Sequence, residues 1–371
     1  MKVRMFDLRV KDSRIRNELN NCFKKTLDHG MFFFGPELYE FEKKMSNFLK
    51  MRYTLGVASG SSGLYLALKS LGIKENDEVI TTPFSWIITS NAIVACGAKP
   101  VFVDINDDYN LNAKLIEKKI NSKTKAIVPM HWGGHMCDMK LICKIAKKYN
   151  LFVVEDSAQA FGAELEKKKA GNFSDVAAFS MNPMKCLSGY GEGGLIATNN
   201  KKIYERIKIL RYAGTTSDPK KLITNNCLEI SLNHKMDTIN AAMLLVSFKF
   251  FKEKVKKLSK IRKYYDKNLD KKICTQKIGK NEKPGVYAYP IQIKNRDKIK
   301  NFLKNKNIET KIWNDPLIPD APAYKKYNKN DTPNAKRVLK ETLNIPFHEK
   351  LTKKQLKYVV ENLNYSVKKF K

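Results

Sequence analysis

The sequence predicts an α/β fold, with a mainly parallel sheet flanked by helices and a smaller α+β domain after it. Between about residues 50 and 200, short apolar runs alternate with amphipathic runs of helical period. Such alternation is typical of βαβ units. Beyond residue 200 the alternation stops, and a long helical run leads into a mixed C-terminal segment. We therefore expect a large domain over residues 1–250 and a small domain over residues 251–371.

The alternating part divides into short strands, which are rich in Val, Ile and Phe, and longer helices. Strands are predicted at 53–59, 77–83, 99–105, 124–132, 151–158, 175–181 and 194–200. Helices are predicted at 61–72, 85–97, 111–120 and 138–150. In a mainly parallel sheet, ligands bind outside the carboxyl ends of the strands. Residues of unusual chemistry at those ends are therefore the first candidates for a site.

The rest of the chain predicts longer helices and fewer strands. A helix at 201–214 runs into an irregular stretch that continues through Leu232. The C-terminal elements are a long helical run at 236–269, strands at 285–293 and 308–313, and helices at 296–307 and 352–367. We expect the long helical run to connect the two domains.

The charge of the chain is compatible with several classes of anionic partner. Lys and Arg total 70 against 37 Asp and Glu, so the formal net charge is +33. Nucleic acid, anionic membranes and anionic small molecules all bind basic proteins. The basic residues are spread along the whole chain and accompany no nucleic-acid motif. We expect a solvated basic surface and no specific nucleic-acid partner.

Other features indicate a cytoplasmic protein. The N-terminus has no apolar run of the kind found in signal peptides, and the most apolar segment, 241–251, is too short to span a membrane. The seven cysteines are scattered without CxxC spacing. We expect reduced thiols, no disulfide framework and no metal site.

Three strand ends carry candidate site residues. Gly60 and Ser61 open a helix directly after a strand, where unpaired N–H groups can bind a phosphate. A simple helix cap is the commoner role of such a turn. Asp156 ends an apolar strand, where a buried carboxylate needs hydrogen bonds or a cationic partner. It also fits the role of a helix cap.

The third strand end lies before Lys185, in the segment AFSMNPMKCLSGYGEGG. This lysine follows an apolar strand and precedes a glycine-rich turn. A lysine held away from water can act as a nucleophile that forms a Schiff base. The alternative is an ordinary surface lysine. All three features fall in order along one predicted sheet, and this conjunction is more specific than any one of them.

The conjunction resembles a known family. Segments including SGSSGLYLALKSLG, VVEDSAQAFGA, FSMNPMKCLSGYGEGGLIATNN and NHKMDTINAAM are similar to the DegT/StrS family of sugar aminotransferases. These are pyridoxal 5'-phosphate (PLP) enzymes of fold type I. The resemblance extends over nearly the whole chain, and it implies the same fold, cofactor and reaction here.

The resemblance also implies roles for individual residues. Lys185 would hold the cofactor covalently and move protons, and Asp156 would pair with the pyridine nitrogen. Gln159 would lie near the phenolic oxygen, and Trp86 would stack on the ring. The phosphate would be held by Gly60, Ser61, Ser180 and, from the neighbouring subunit, Asn233. A homodimer with shared active sites would follow.

The chain departs from the family pattern at a few positions. Lys235 stands where arginine is common. Trp132 and a second histidine, His135, replace the family's usual HLYG pattern, and Trp313 with Asn314 replaces a typical His-Tyr pair. We expect these positions to bear on the substrate more than on the reaction.

The predicted activity is transamination of a keto-sugar, expected to be nucleotide-linked, with glutamate as the amino donor. The dehydratase branch of the family has histidine in place of the lysine, so Lys185 favours transamination. A smaller phosphorylated ketone or a cyclitol is an alternative acceptor. An alternative of another class is a catalytically silent regulatory or DNA-binding relative. The retention of Lys185, Asp156 and Gln159 argues against the silent relative.

Overall fold

The structure is a computed structural model that describes residues 1–216, 226–279, 281–327 and 331–370. The strands are β1 (Tyr53–Val57), β2 (Glu78–Thr81), β3 (Lys99–Phe102), β4 (Thr124–Val128), β5 (Phe152–Asp156), β6 (Glu164–Leu165), β7 (Lys168–Lys169), β8 (Val176–Ser180), β9 (Gly194–Thr198), β10 (Cys274–Thr275), β11 (Glu282–Lys283), β12 (Pro290–Gln292) and β13 (Thr342–Asn344). The helices are α1 (Ser13–His29), α2 (Pro36–Leu49), α3 (Gly60–Ser70), α4 (Ile88–Ala95), α5 (Met139–Lys148), α6 (Lys201–Arg211), α7 (Thr238–Lys249), α8 (Phe251–Asn268), α9 (Arg296–Asn305), α10 (Pro333–Glu341) and α11 (Lys353–Lys369).

The central sheet has seven strands in the order β1-β9-β8-β5-β4-β2-β3. Strand β9 is antiparallel to both of its neighbours, while the pairs from β8 through β5, β4 and β2 to β3 are parallel. The predicted mainly parallel α/β sheet is therefore confirmed. Because β5 and β8 are parallel neighbours, their carboxyl ends, Asp156 and Ser180, lie at the same edge of the sheet.

Helices cover both faces of this sheet. One core lies between the sheet and α2, α5 and α7, and the other between the sheet and α3, α4 and α6. Strands β8 and β9 are buried along their whole lengths, as expected for central strands between two helical layers. Side chains cap several helix N-termini: Ser59 accepts from the N–H of Ser62 at α3, and Asp237 accepts from the N–H of Asn240 at α7.

A separate core lies in the C-terminal part of the chain. It joins the sheet β10-β12-β13 to helices α8, α9 and α11. Val3 also lies in this core and pairs with Ile308 through a β-bridge, so the N-terminal residues pack on the C-terminal unit. We propose that the domain boundary lies at residues 250 and 251, where α7 gives way to α8. Among the described residues, no helix is both long and apolar enough to cross a bilayer.

Some predicted elements differ in the structure. The helix predicted at 111–120 is wrong: the segment forms two short 3₁₀ turns, the first capped by the side chain of Asn112. The long helix is broken at Phe250, and Phe248 and Phe251, on either side of the break, both contact the ring of Phe48. The strand predicted at 308–313 is reduced to isolated bridges. Part of the predicted irregular stretch, 217–225, lies outside the described residues.

A buried ion pair joins three elements beside the central sheet. Arg211, at the end of α6, donates to Glu42 of α2 at 2.5 Å and to the carbonyl of Gly56 in β1 at 3.0 Å. The N–H of Gly56 donates to the same carboxylate at 2.8 Å. Both charged side chains are almost fully buried, and burial raises the pKa of Glu42. Removing the arginine would leave a buried carboxylate without its cation.

We expect Arg211→Met to lower the free energy of unfolding by about 3–5 kcal/mol, the range measured when one partner of a buried ion pair is removed. Lys208→Met, which breaks an exposed pair with Glu205 on the same helix, is the matched control and should cost less than about 1 kcal/mol. Urea unfolding of both variants measures the difference. Equal, small losses would show that the buried pair does not stabilise the fold.

Candidate active site

The residues predicted for the phosphate site meet at the start of α3. Gly60 is the first residue of this helix, and a Cβ added to it would lie 2.7 Å from the Cβ of Ser180. Glycine is therefore required for the helix to approach the end of β8. A Cβ on Gly194, at the start of β9, would lie 2.3 Å from the carbonyl oxygen of Ser59. The two glycines leave a cradle of backbone N–H groups and serine hydroxyls at the helix N-terminus.

Asp156 ends β5 in a buried position, with 2% of its surface exposed. One carboxylate oxygen accepts a hydrogen bond from the hydroxyl of Thr89 at 2.7 Å, and the other accepts from the N–H of Ala158 at 3.1 Å. Burial raises the pKa of Asp156, and the hydrogen bonds and the charges of Lys185 and His131 only partly oppose this. Within the described residues no cation forms an ion pair with this carboxylate.

The carboxylate of the neighbouring acid, Glu155, has its hydrogen-bond donors within its own chain. Its carboxylate accepts from the ring of His131 at 2.8 Å, from the hydroxyl of Ser174 at 2.8 Å, and from two backbone N–H groups of the loop after β7. Although burial opposes the charge, these contacts hold the pKa of Glu155 below its usual range. Glu155 thus fixes the loop, whereas the Asp156 side chain, on the opposite side of the strand, accepts two hydrogen bonds from the described part of the chain.

Lys185 lies in the loop between β8 and β9. Its carbonyl oxygen accepts from the hydroxyl of Ser188 at 2.8 Å and from the ammonium of Lys254 at 3.1 Å. Its side chain lines a cavity of about 300 Å³ together with residues of the N-terminal segment, including Phe6. The Lys185 ammonium donates to the hydroxyl of Tyr287 at 3.5 Å and lies 4.6 Å from the centre of that ring.

Gln159 connects the Asp156 strand end to the lysine loop. Its side-chain oxygen accepts from the N–H of Gly133 at 2.7 Å, which orients the amide and leaves its NH₂ group to face elsewhere. Its backbone carbonyl accepts from the thiol of Cys186 at 3.1 Å. This thiol is buried, and burial raises its pKa, so Cys186 serves packing and is no candidate nucleophile.

Two predicted site residues stand apart within the single chain. Trp86, in the turn before α4, is 66% exposed. Its ring packs against no other aromatic ring of the described segments. Asn233 is exposed, and its side-chain oxygen accepts a hydrogen bond from the N–H of Lys235 at 3.3 Å. Its backbone pairs with that of Tyr212 in an isolated β-bridge. Ser61 lies beside Gly60 in the first turn of α3 and is half-buried.

The positions that depart from the family pattern form contacts of their own. The Lys235 ammonium lies 4.7 Å from the ring centre of Phe33 and 4.4 Å from that of Tyr212. Trp132 is fully buried, and its indole N–H donates to the side-chain oxygen of Asn314 at 3.1 Å. Trp313 packs between Trp132 and Tyr287, with ring centres 6.2 and 5.2 Å away. His135 pairs with Glu282 at 3.2 Å, behind these rings.

Sequence reasoning missed several of these residues. Thr89 and Tyr287 contact the predicted acid and the predicted lysine, yet both lie inside unremarkable helical or strand patterns. Lys254 lies within a lysine-rich helix, where nothing local distinguishes it from its neighbours. Strand alternation places Asp156 and Glu155 on opposite faces of β5, but it does not show which of the two faces the site.

The DegT/DnrJ/EryC1/StrS aminotransferase family model matches residues 13–364. The chain belongs to this family. UDP-2-acetamido-2-deoxy-3-oxo-D-glucuronate aminotransferase of Pseudomonas aeruginosa is 31% identical over 360 residues, which are 96% of this chain and 98% of that protein. The pleiotropic regulatory protein of Geobacillus stearothermophilus is 31% identical over 370 residues, 98% of each protein.

The fold is similar to that of NtdA from Bacillus subtilis with bound cofactor PMP. The TM-score is 0.92 at 27% identity, and the match covers 99% of this chain and 85% of that one. The predicted family, the type I fold, the aminotransferase activity and the PLP cofactor are thereby confirmed.

The residues of the site fit this cofactor. Asp156 is a buried carboxylate that lacks a cation within the described residues, and a protonated pyridine nitrogen would supply one. The first N–H groups of α3 lie beside Ser180, and a helix N-terminus of this kind can bind a phosphate group. The charge of Lys185 acts on the Asp156 carboxylate, so the lysine lies close enough to serve the same cofactor.

We expect Asp156→Asn to stabilise the cofactor-free protein at pH 8, by on the order of 1 kcal/mol, because it removes a buried charge that folding disfavours. A raised folded pKa means that ionised Asp156 destabilises the fold above that pKa. The gain should therefore shrink as the pH falls through the raised pKa, where wild type also becomes neutral. Urea unfolding at a series of pH values measures it. A loss of stability at pH 8 would mark Asp156 as a structural residue.

Proposed function

We propose that this enzyme transfers an amino group from glutamate to a keto-sugar carried on a nucleotide. The observation that carries the proposal is the meeting of a loop lysine, a buried unpaired carboxylate and a helix N-terminal cradle at one sheet edge. The substrate class is supported by relatives such as the P. aeruginosa enzyme, whose name gives a UDP-linked keto-sugar acid.

In this proposal each site residue holds one part of the cofactor. Gly60, Ser61 and Ser180 bind the phosphate, and Asp156 binds the pyridine nitrogen. Gln159 presents its NH₂ group to the phenolic oxygen, since its side-chain oxygen is already bonded to Gly133. Trp86 covers the ring. Its exposed side chain is available for that contact.

PLP supplies an electron sink that stabilises negative charge on the substrate carbon, and Asp156 keeps the sink protonated. The protein's part is to hold this group and to move protons. The Lys185 amine would take the proton from the substrate carbon at Nζ and deliver it, on the same side, to C4′ of the cofactor. The loop contacts of Ser188 and Lys254 fix the backbone from which this amine acts.

The alternatives remain a smaller phosphorylated ketone or a cyclitol as acceptor. The Lys185 cavity favours a sugar, because aromatic side chains such as Phe6 line it and aromatic rings pack well against the CH groups of a sugar. The G. stearothermophilus relative is called a pleiotropic regulatory protein, but a catalytically silent regulatory role is disfavoured here by the intact Lys185, Asp156 and Gln159. The net charge of +33 has no part in the proposal.

We also propose that the protein works in the cytoplasm as a homodimer with shared active sites. All seven cysteines are free thiols, as expected in a reducing compartment. Asn233 lies beside large exposed apolar side chains: Phe33 is 60%, Leu232 69% and Ile230 85% exposed. Large exposed apolar side chains favour an interface, and a second subunit would bring Asn233 to the other cofactor phosphate.

We expect Lys185→Ala to lose transamination by about 100-fold or more, because both covalent capture of the cofactor and proton transfer are removed. The assay combines glutamate with a panel of 3-keto and 4-keto nucleotide sugars, phosphorylated ketones and cyclitols. Lys201→Ala, at the exposed start of α6, is the matched control. Turnover of a phosphorylated ketone in preference to every nucleotide sugar would contradict the substrate class. Wild-type activity in Lys185→Ala would contradict the mechanism.

The shared site is tested by complementation. Asn233→Asp should weaken cofactor binding, since it removes a hydrogen bond of about 1–3 kcal/mol to a charged group and adds like charge. In a mixed dimer with Lys185→Ala, one site carries both lesions and the other carries neither. Random exchange should therefore restore about a quarter of wild-type activity. If subunits exchange and activity stays at the parental level, Asn233 acts within its own chain.

A further inference from the structure

One side chain outside the family-matched site residues contacts the Lys185 amine. Tyr287 lies between β11 and β12 in the C-terminal part of the chain, and its side chain lines the Lys185 cavity. Its hydroxyl oxygen accepts from Lys185 Nζ at 3.5 Å, and its ring centre lies 4.6 Å from the same nitrogen. The ammonium is thus within reach of both the ring face and the hydroxyl, which attract a cation independently.

The position of Tyr287 is fixed from two sides. The backbone before it is held by a 2.8 Å hydrogen bond from the N–H of Gly285 to the carbonyl of Gly134, and a Cβ on Gly134 would lie 2.6 Å from the carbonyl oxygen of Gly285. Its ring packs at 5.2 Å against Trp313, which is itself placed against the buried Trp132. A ring held this firmly is preorganised toward the amine.

We propose that Tyr287 is a further catalytic residue of the transamination, and that it seats and stabilises the Lys185 ammonium while this group carries the substrate proton. The proton leaves the substrate carbon for the lone pair of Nζ, which becomes an ammonium over the ring of Tyr287. The same proton would then pass from Nζ to C4′ of the cofactor, and the amine is restored. The hydroxyl of Tyr287 accepts a hydrogen bond from the ammonium and gives up no proton of its own.

The inference rests on the proposed role of Lys185 but fails separately from it. If another lysine captures the cofactor, the proposed function fails and Tyr287 has no part in catalysis. If Lys185 captures the cofactor and Tyr287 is dispensable, only this inference fails. Two variants separate the contribution of the Tyr287 hydroxyl from that of its ring. Tyr287→Phe keeps the ring and removes the hydroxyl, and Tyr287→Leu removes both.

The first measurement needs no turnover. Cofactor-free protein is mixed rapidly with PLP, and covalent capture is followed by absorbance. We expect Tyr287→Leu to capture PLP about tenfold more slowly than wild type, because the amine is no longer held in one orientation. Tyr287→Phe should lie between the two. Tyr358→Phe, which loses a hydroxyl bonded to the Lys306 carbonyl far from the cavity, is the matched control and should equal wild type.

The second measurement isolates the proton transfer. A single turnover with glutamate deuterated at its α-carbon gives the primary isotope effect, which rises when the proton step becomes slower than the others. We expect the isotope effect to increase in Tyr287→Leu, with a smaller increase in Tyr287→Phe and the KM for glutamate within about twofold of wild type. A merely structural role would leave the isotope effect unchanged.

Thermal unfolding shows whether Tyr287→Leu is folded, and if it is not, the nearly isosteric Tyr287→Phe carries the test alone. Slower capture together with a larger isotope effect in a folded variant supports the inference. Capture rates within twofold of wild type and an unchanged isotope effect would overturn it.

Discussion

The site depends on the burial of the Asp156 carboxylate. Burial of a carboxylate destabilises the folded state unless hydrogen bonds and a cation compensate for its lost hydration. Asp156 has two hydrogen bonds and no ion pair within the described residues. Burial consequently raises its pKa in the protein alone. The carboxylate is held away from water because β5 is the central strand of the seven-stranded sheet and its neighbour β8 is buried along its whole length. A protonated pyridine nitrogen is the partner that this arrangement lacks.

The same sheet edge fixes the lysine relative to the carboxylate. Because β5 and β8 are parallel neighbours, the loops after them leave from adjacent points. Gln159 then joins the loops directly, with its carbonyl bonded to the Cys186 thiol and its side chain bonded to Gly133. Displacement of one loop would break contacts with the other. Rigid placement of this kind matters because catalytic groups lose effect when they move by about 1 Å.

Sequence patterns predicted the elements that carry local signals and missed those that depend on distant contacts. The alternation of strands and helices predicted the sheet, and strand ends predicted Gly60, Asp156 and Lys185. The amphipathic segment at 111–120 looks helical but forms tight turns, since a capping asparagine competes with the helix. Tyr287 carries no motif: its closeness to Lys185 results from packing between segments about a hundred residues apart. The roles of Trp86 and Asn233 need a cofactor or a second subunit, so they stay predictions.

The central claim is that Lys185 carries the cofactor, and one chemical experiment tests it directly. Protein loaded with PLP is reduced with borohydride, which makes the link between lysine and cofactor permanent, and is then digested and mapped by mass spectrometry. The account predicts that the modification falls on the peptide containing Lys185. Modification of Lys254, Lys235 or any other lysine, with the Lys185 peptide unmodified, would contradict it.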